Sequence, residues 1–292
     1  MKVSLFNNNN PSVDAKEVAR QLGEIAQAAK SLHNANVYRQ CLSVVDYTSL
    51  NATDSPARGK LLAEKINHFS TRYPSLPNVA GICVYPSLVE GVRSALTEKS
   101  VKVVSVAAGF PASQTLFSVK KLECEAAVAG GATEVDVVMS LGRFLDGDDH
   151  FTFHEIASLK AALTGKGIHL KVILETGLLP SLPLVYKASM GCLTAGADFI
   201  KTSTGKVAPA ATPEAALVMC RAIKDFYAET GVKKGFKAAG GIATTADAVT
   251  YYAIVKHVLG DEWLTPELLR IGASRLANSL LSDITGKEEK YF

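Results

Sequence analysis

Short apolar runs recur along the chain, and each is followed by a longer segment whose apolar positions have helical spacing. The runs cover residues 41–46, 79–85, 101–107, 134–139, 169–175, a stretch around 199–201, then 235–239 and 268–272. The intervening segments predict helices over 53–71, 86–97, 113–129, 153–163, 181–195, 212–229, 245–258 and 274–282, several opened by Ser, Thr, Asp or Pro at positions suited to a cap or first turn. Eight β-like runs, each trailed by a helix, predict an α/β fold of the (β/α)8 barrel type. A doubly wound nucleotide fold is the weaker choice, because it usually stops at fewer strands and no Gly-x-Gly-x-x-Gly follows the first run. A further helix is expected within residues 12–36, from Val18, Leu22, Ile25, Ala26 and Ala29, with Ser12 or Asp14 as its cap. The chain then divides into an N-terminal extension with one helix (1–40), a barrel (41–283) and a charged tail (284–292), mobile up to its final aromatic pair.

A barrel places chemistry at the C-terminal ends of its strands. The polar residues ending the runs are Asp46, Cys83, Asp136, Glu175, Lys201, Lys237 and the turn Gly272-Ala273-Ser274. Any one of them could be a rim or capping residue. As a set they are harder to dismiss, because charges inside Val/Ile-rich runs need partners. Lys201 and Lys237 fall on neighbouring strands, where two ammoniums repel and favour the neutral amine on one of them. A neutral amine attacks a carbonyl to form a Schiff base, and Asp136 could relay protons during the steps that follow. Structural ion pairs of the two lysines with Asp136 and Asp46 are the alternative. Lys206 in the turn Thr204-Gly205-Lys206, together with Gly240-Gly241 and Gly272-Ala273-Ser274, supplies turns after the last three strands that suit a phosphate.

Composition narrows the partners. The 292 residues carry 31 basic and 28 acidic side chains, a net +3, too balanced to point to nucleic acid or a membrane surface. No stretch is apolar for long enough to span a membrane, and no signal peptide is expected at the N-terminus. Five dispersed cysteines without a Cys-x-x-Cys argue against disulfides and structural zinc, and suggest a cytoplasmic protein. His150 and His154 have i,i+4 spacing but no clearly placed third ligand, so no metal is expected.

Seven blocks in barrel order resemble the deoxyribose-phosphate aldolase family: Asp46-Tyr47-Thr48-Ser49-Leu50, Gly81-Ile82-Cys83-Val84-Tyr85-Pro86, Glu134-Val135-Asp136-Val137-Val138, Lys171-Val172-Ile173-Leu174-Glu175-Thr176-Gly177, Ala197-Asp198-Phe199-Ile200-Lys201-Thr202-Ser203-Thr204-Gly205, Gly235-Phe236-Lys237-Ala238-Ala239-Gly240-Gly241 and Arg270-Ile271-Gly272-Ala273-Ser274. The resemblance implies a class I aldolase that needs no cofactor, acts on a small-molecule sugar phosphate and forms a homodimer. It implies Lys201 as the Schiff-base lysine, Lys237 as the second lysine, Asp136 as the proton relay, and Asp46 and Cys83 in the substrate pocket. Thr204, Gly205, Lys206, Gly240, Gly241, Gly272 and Ser274 would hold the phosphate, and Tyr291 is the counterpart of a C-terminal tyrosine lid. Two positions depart from the pattern: Ala238 stands where proline is frequent, and Arg275 where many members carry a second serine. A transaldolase-like barrel enzyme and a catalytically inactive sugar-phosphate sensor are the rival readings.

Overall fold

A computed structural model describes residues 13–165 and 167–292. Eight parallel strands close on themselves in sequence order: β1 (Val45–Thr48), β2 (Gly81–Val84), β3 (Lys102–Ala107), β4 (Glu134–Val138), β5 (His169–Ile173), β6 (Phe199–Lys201), β7 (Gly235–Ala239) and β8 (Leu269–Ala273), with β8 hydrogen-bonded back to β1. The runs read as continuous apolar stretches because helices cover the outside of the sheet while the inside is itself filled. The predicted barrel is the observed one.

The first run is the main boundary error. Residues 41–43 end a helix, Ala35–Ser43, whose cap Asn34 accepts from the amides of Asn36 and Val37. Cys41 and Leu42 are buried on that helix, so an apolar run there marks a buried helical face and not a strand. The N-terminal segment thus carries two helices where one was expected. The other, Ala15–Ala29, is capped by Asp14 through the Lys16 amide; the rival cap, Ser12, lies outside the described residues, as does the expected absence of a signal at residues 1–12. After β4, a short helix Leu141–Leu145 precedes Asp149–Leu163, and only the second was predicted.

The C-terminal tail is docked. The last helix, Leu276–Thr285, is followed by an irregular segment in which Phe292 exchanges two hydrogen bonds of 2.8 Å with the Asn278 side chain. The Tyr291 hydroxyl donates to the Lys65 carbonyl at 2.6 Å, and its ring meets Phe69, Tyr73 and Phe292 edge-on. The tail therefore sits on the outer helix Pro56–Arg72, held by aromatic contacts that burial makes favourable.

Candidate active site

Side chains two apart on a strand share a face, and the barrel interior divides by chemistry along those faces. On the β2–β3 side, Cys83, Val104 and Val106 pack with Leu50 in a small apolar cluster. The opposite side holds seven charges: Asp46 on β1, Glu134 and Asp136 on β4, Lys171 on β5, Lys201 on β6, Lys237 on β7 and Arg270 on β8. All are at most 3% exposed.

Unpaired charges at this depth would be prohibitive, and none is unpaired. Asp136 is the hub: one oxygen accepts from both Lys201 and Lys237 at 2.8 Å, the other from Lys171 at 3.1 Å. Lys237 also donates to Asp46 at 2.5 Å. Arg270 forks onto Glu134 at 2.8 and 3.0 Å and reaches Asp46 at 2.6 Å, while Lys171 donates to Glu134 at 2.5 Å. The register makes this possible, since Lys201 pairs with Lys237, Lys237 with Arg270, and Asp136 with Lys171 across adjacent strands.

Two glycines flanking β1 keep room for these side chains. A Cβ on Gly81 would stand 2.9 Å from an Asp46 oxygen, and one on Gly272 would stand 3.0 Å from the Lys237 chain.

Burial alone would raise the carboxyl pKa values, but the surrounding cations prevail. Asp136 is held well below the usual carboxylate range by Lys171, Lys201 and Lys237, and Asp46 is lowered by Lys237, Arg270 and Lys171. Glu134 is lowered by Lys171 and Arg270. Burial would pull Lys237 down, yet Asp136 and Asp46 raise it above the usual lysine range. The bare lysine–lysine repulsion expected from the strand order is therefore mediated by a shared carboxylate, and Lys237 is a fixed cation beside the Lys201 amine.

These directions make a stability prediction. Carboxyls with lowered folded pKa values contribute fully above their unfolded range of about 3.9–4.3, and the contribution is lost as pH falls through the folded values. Lys237 does the reverse, contributing fully below about pH 10.4 and losing its share only as pH rises past that. The urea midpoint is expected to decline steeply below about pH 4. A midpoint unchanged from neutral pH down to about 2 would contradict the network.

Above the charged layer, at the C-terminal ends of the strands, lies a cavity of about 210 Å³. Lys201 reaches its floor and is the one strand-borne charge among the described residues lining it. Thr204, Gly205 and Lys206 form one wall, Gly240 and Gly241 the next, and Gly272, Ser274 and Arg275 the third. The walls meet closely because Gly240, at φ +91°, leaves only 3.1 Å between a would-be Cβ and the Gly205 Cα. Lys206 donates its ammonium to the Leu50 carbonyl at 2.5 Å, and Thr204 is clamped by Glu175 through its amide at 3.1 Å and its hydroxyl at 2.5 Å.

The expected residues fall into three groups. Lys201 and the phosphate-turn residues Thr204, Gly205, Lys206, Gly240, Gly241, Gly272 and Ser274 line the cavity. Asp136, Lys237 and Asp46 lie beneath it, fully buried, and act on it only through Lys201 and their hydrogen bonds. Cys83 and Tyr291 do not join the cavity. Cys83 is fully buried in the apolar cluster with its thiol pushed up by burial, and Tyr291 is held on the outer helix by Lys65 and Phe69. Sequence reasoning missed the roles of Glu134, Lys171 and Arg270. The spacing Glu134-x-Asp136, which puts both acids on one strand face, was the available signal. His150 and His154 stack with ring centroids 5.9 Å apart, and no cluster of three metal-ligating residues occurs among the described residues. No helix among them is long and apolar enough to cross a membrane, and all five cysteines are buried and unbonded.

Comparison with known proteins agrees with the barrel fold. A family model for the DeoC/LacD aldolases matches residues 48–262. The human deoxyribose-phosphate aldolase is 40% identical over 297 residues, covering 97% of this chain and 89% of its own. The bovine enzyme of that name is 42% identical over 260 residues, covering 84% and 78%. Among solved structures, the tetrameric deoxyribose phosphate aldolase of Aeropyrum pernix superposes with a TM-score of 0.68 at 23% identity, over 92% of this chain and 97% of that one, which speaks for the fold. With the family model matching most of the barrel and two relatives at this identity covered over more than three quarters of their length, the chain belongs to the DeoC/LacD aldolase family.

Proposed function

We propose that this chain is a class I aldolase that reversibly cleaves 2-deoxy-D-ribose 5-phosphate to D-glyceraldehyde 3-phosphate and acetaldehyde. The observation that carries the reading is the Lys201 amine on the floor of a cation-walled cavity, hydrogen-bonded to a carboxylate that also binds Lys237. The neutral Lys201 amine adds to the C1 aldehyde, and loss of water gives an iminium. The C3 hydroxyl then loses its proton, the C2–C3 bond breaks, and its electron pair flows into the iminium to leave an enamine. Glyceraldehyde 3-phosphate departs from the phosphate end. Protonation of the enamine carbon and hydrolysis release acetaldehyde and restore the amine.

In this scheme Lys237 supplies fixed positive charge beside the Lys201 amine, and Asp136 shuttles protons with a water molecule. Backbone amides at Gly205, Gly240 and Gly241, the Ser274 hydroxyl and the Lys206 ammonium receive the phosphate. No step requires a metal or organic cofactor. A cytoplasmic homodimer is the assembly and location that accompany this reading. The direct test is a coupled assay for glyceraldehyde 3-phosphate on adding 2-deoxyribose 5-phosphate. The expectation is turnover in the range of about 1–10³ s⁻¹; no product from the intact chain would remove the proposed reaction.

A further inference from the structure

The aldol chemistry leaves one buried acid without a task. Glu175 follows β5, is 3% exposed and does not line the cavity. Its backbone stands at φ +50° and ψ 56°, in the left-handed region that is strained for a residue with a side chain. Both carboxylate oxygens are taken by one neighbour: Oε1 accepts from the Thr204 amide at 3.1 Å, and Oε2 from the Thr204 hydroxyl at 2.5 Å. Asp46, Glu134 and Asp136 all meet cations, whereas no lysine, arginine or histidine pairs with Glu175 among the described residues. A buried carboxylate held only by neutral donors is costly to keep, and its charge opposes an anion in the cavity above. What it contributes is therefore geometry.

We propose that Glu175 is a positioning residue that acts through Thr204, bracing the turn Thr204-Gly205-Lys206 in its anion-ready shape before substrate arrives. The bracing rests on the aldolase reading for the identity of the substrate, but not for the anion. The clamp passes along the turn, because the Thr204 hydroxyl oxygen accepts from the Lys206 amide at 3.0 Å and closes the loop over Gly205, at φ +77°. The Thr204 amide, the Thr204 hydroxyl proton and the Lys206 amide are thus all engaged inside the protein. No hydrogen bond engages the Gly205 amide among the described residues, so it is the backbone donor this turn leaves for an anion. Thr204 lines the cavity as a strut whose own donors face Glu175. Just before the clamp, the Leu174 amide bonds the Lys201 carbonyl and the Thr176 amide the Thr202 carbonyl, each at 2.9 Å. Glu175 extends that ladder past the strand, tying the turn to the segment that carries Lys201. A turn fixed in advance does not have to be ordered at the expense of binding energy.

The experiment compares the intact chain with Glu175→Ala and Glu175→Gln. For each, kcat and KM are measured with 2-deoxyribose 5-phosphate, binding of inorganic phosphate by calorimetry, and exchange of acetaldehyde methyl protons in D₂O by NMR. Acetaldehyde carries no phosphate, so its exchange reports Lys201 and Asp136 without the turn. Hydrogen bonds to a charged group set the scale: in Glu175→Ala, KM should rise and phosphate affinity weaken by about 10–100-fold. Exchange and kcat should stay within about threefold of the parent. Glutamine keeps one acceptor oxygen, so Glu175→Gln should lose about 3–10-fold in KM and phosphate affinity. It decides the matter alone if Glu175→Ala does not fold. KM and phosphate affinity within about twofold of the parent in the folded variants would overturn the proposal. So would acetaldehyde exchange that falls in step with phosphate affinity, since a general prop of the barrel predicts that result. The calorimetric arm needs no turnover. If phosphate affinity depended on Glu175 in a chain that failed to cleave the sugar phosphate, the bracing role would stand and only the substrate reading would fall.

Discussion

Replacing Lys201 by leucine is expected to abolish turnover, with kcat reduced by at least about 10⁴-fold, while the barrel stays folded. The size of the effect follows from the position of the residue. Lys201 is the strand lysine that borders the cavity; Lys237 and Lys171 are sealed beneath it at 0% exposure, with no route to a substrate carbonyl. Leucine keeps the apolar stem and removes the amine at the floor. The fold is expected to survive, because Asp136 retains Lys237 and Lys171 as partners. Reduction with borohydride in the presence of 2-deoxyribose 5-phosphate or acetaldehyde gives the second readout. It should add one stable alkyl group to the parent chain, mapped to Lys201, and none to the variant. A label found on Lys206 or Lys237, or activity retained in Lys201→Leu, would displace Lys201 from its role.

The barrel was legible because its physics repeats eight times. Strands buried on both faces are apolar throughout, so β2 to β8 stand out against their amphipathic neighbours. The same rule misplaced the start of β1. Cys41 and Leu42 are as buried as any strand residue, and a short apolar run does not distinguish a buried helix end from a strand. Lys201, Lys237 and Asp136 were legible for the opposite reason, being charges where the pattern forbids them. Glu134, Lys171 and Arg270 sit in the same runs, but their meaning depends on partners across the barrel; Arg270 meets Glu134 from a strand 136 residues away. Periodicity carries the facing of a residue, not its cross-barrel neighbour. The placement of Tyr291 was illegible for the same reason: its contacts with Phe69 and Tyr73 are long-range packing that a tail sequence does not encode locally. Cys83 reads as polar by name, but a free thiol behaves as a small hydrophobe, which is how this one is used.

The second large effect is expected at Asp136. Asp136→Asn preserves shape and removes the one charge that three ammoniums share. In the parent, three carboxylates face four cations, an excess of one positive charge; the variant doubles that excess. The folded chain should lose about 3–5 kcal/mol, the cost of stripping a partner from a buried ionic group. Catalysis should suffer in a distinct way. Crowded cations without their carboxylate favour loss of a proton from one of them, so the amine at Lys201 remains available and borohydride should still trap acetaldehyde there. Proton transfer at the enamine carbon has no such compensation, because the group that takes and returns the proton is gone. Turnover is accordingly expected to fall by about 10²–10⁴-fold. Exchange of the acetaldehyde methyl protons in D₂O, followed by NMR, should fall by about the same factor. The two measurements separate relay from scaffold. A merely structural Asp136 predicts that trapping and exchange decline together with the folded fraction, whereas a proton relay predicts an adduct that forms at Lys201 and then stalls. Exchange at the parental rate in folded Asp136→Asn would exclude the carboxylate from proton transfer and leave Lys237 with water as the path.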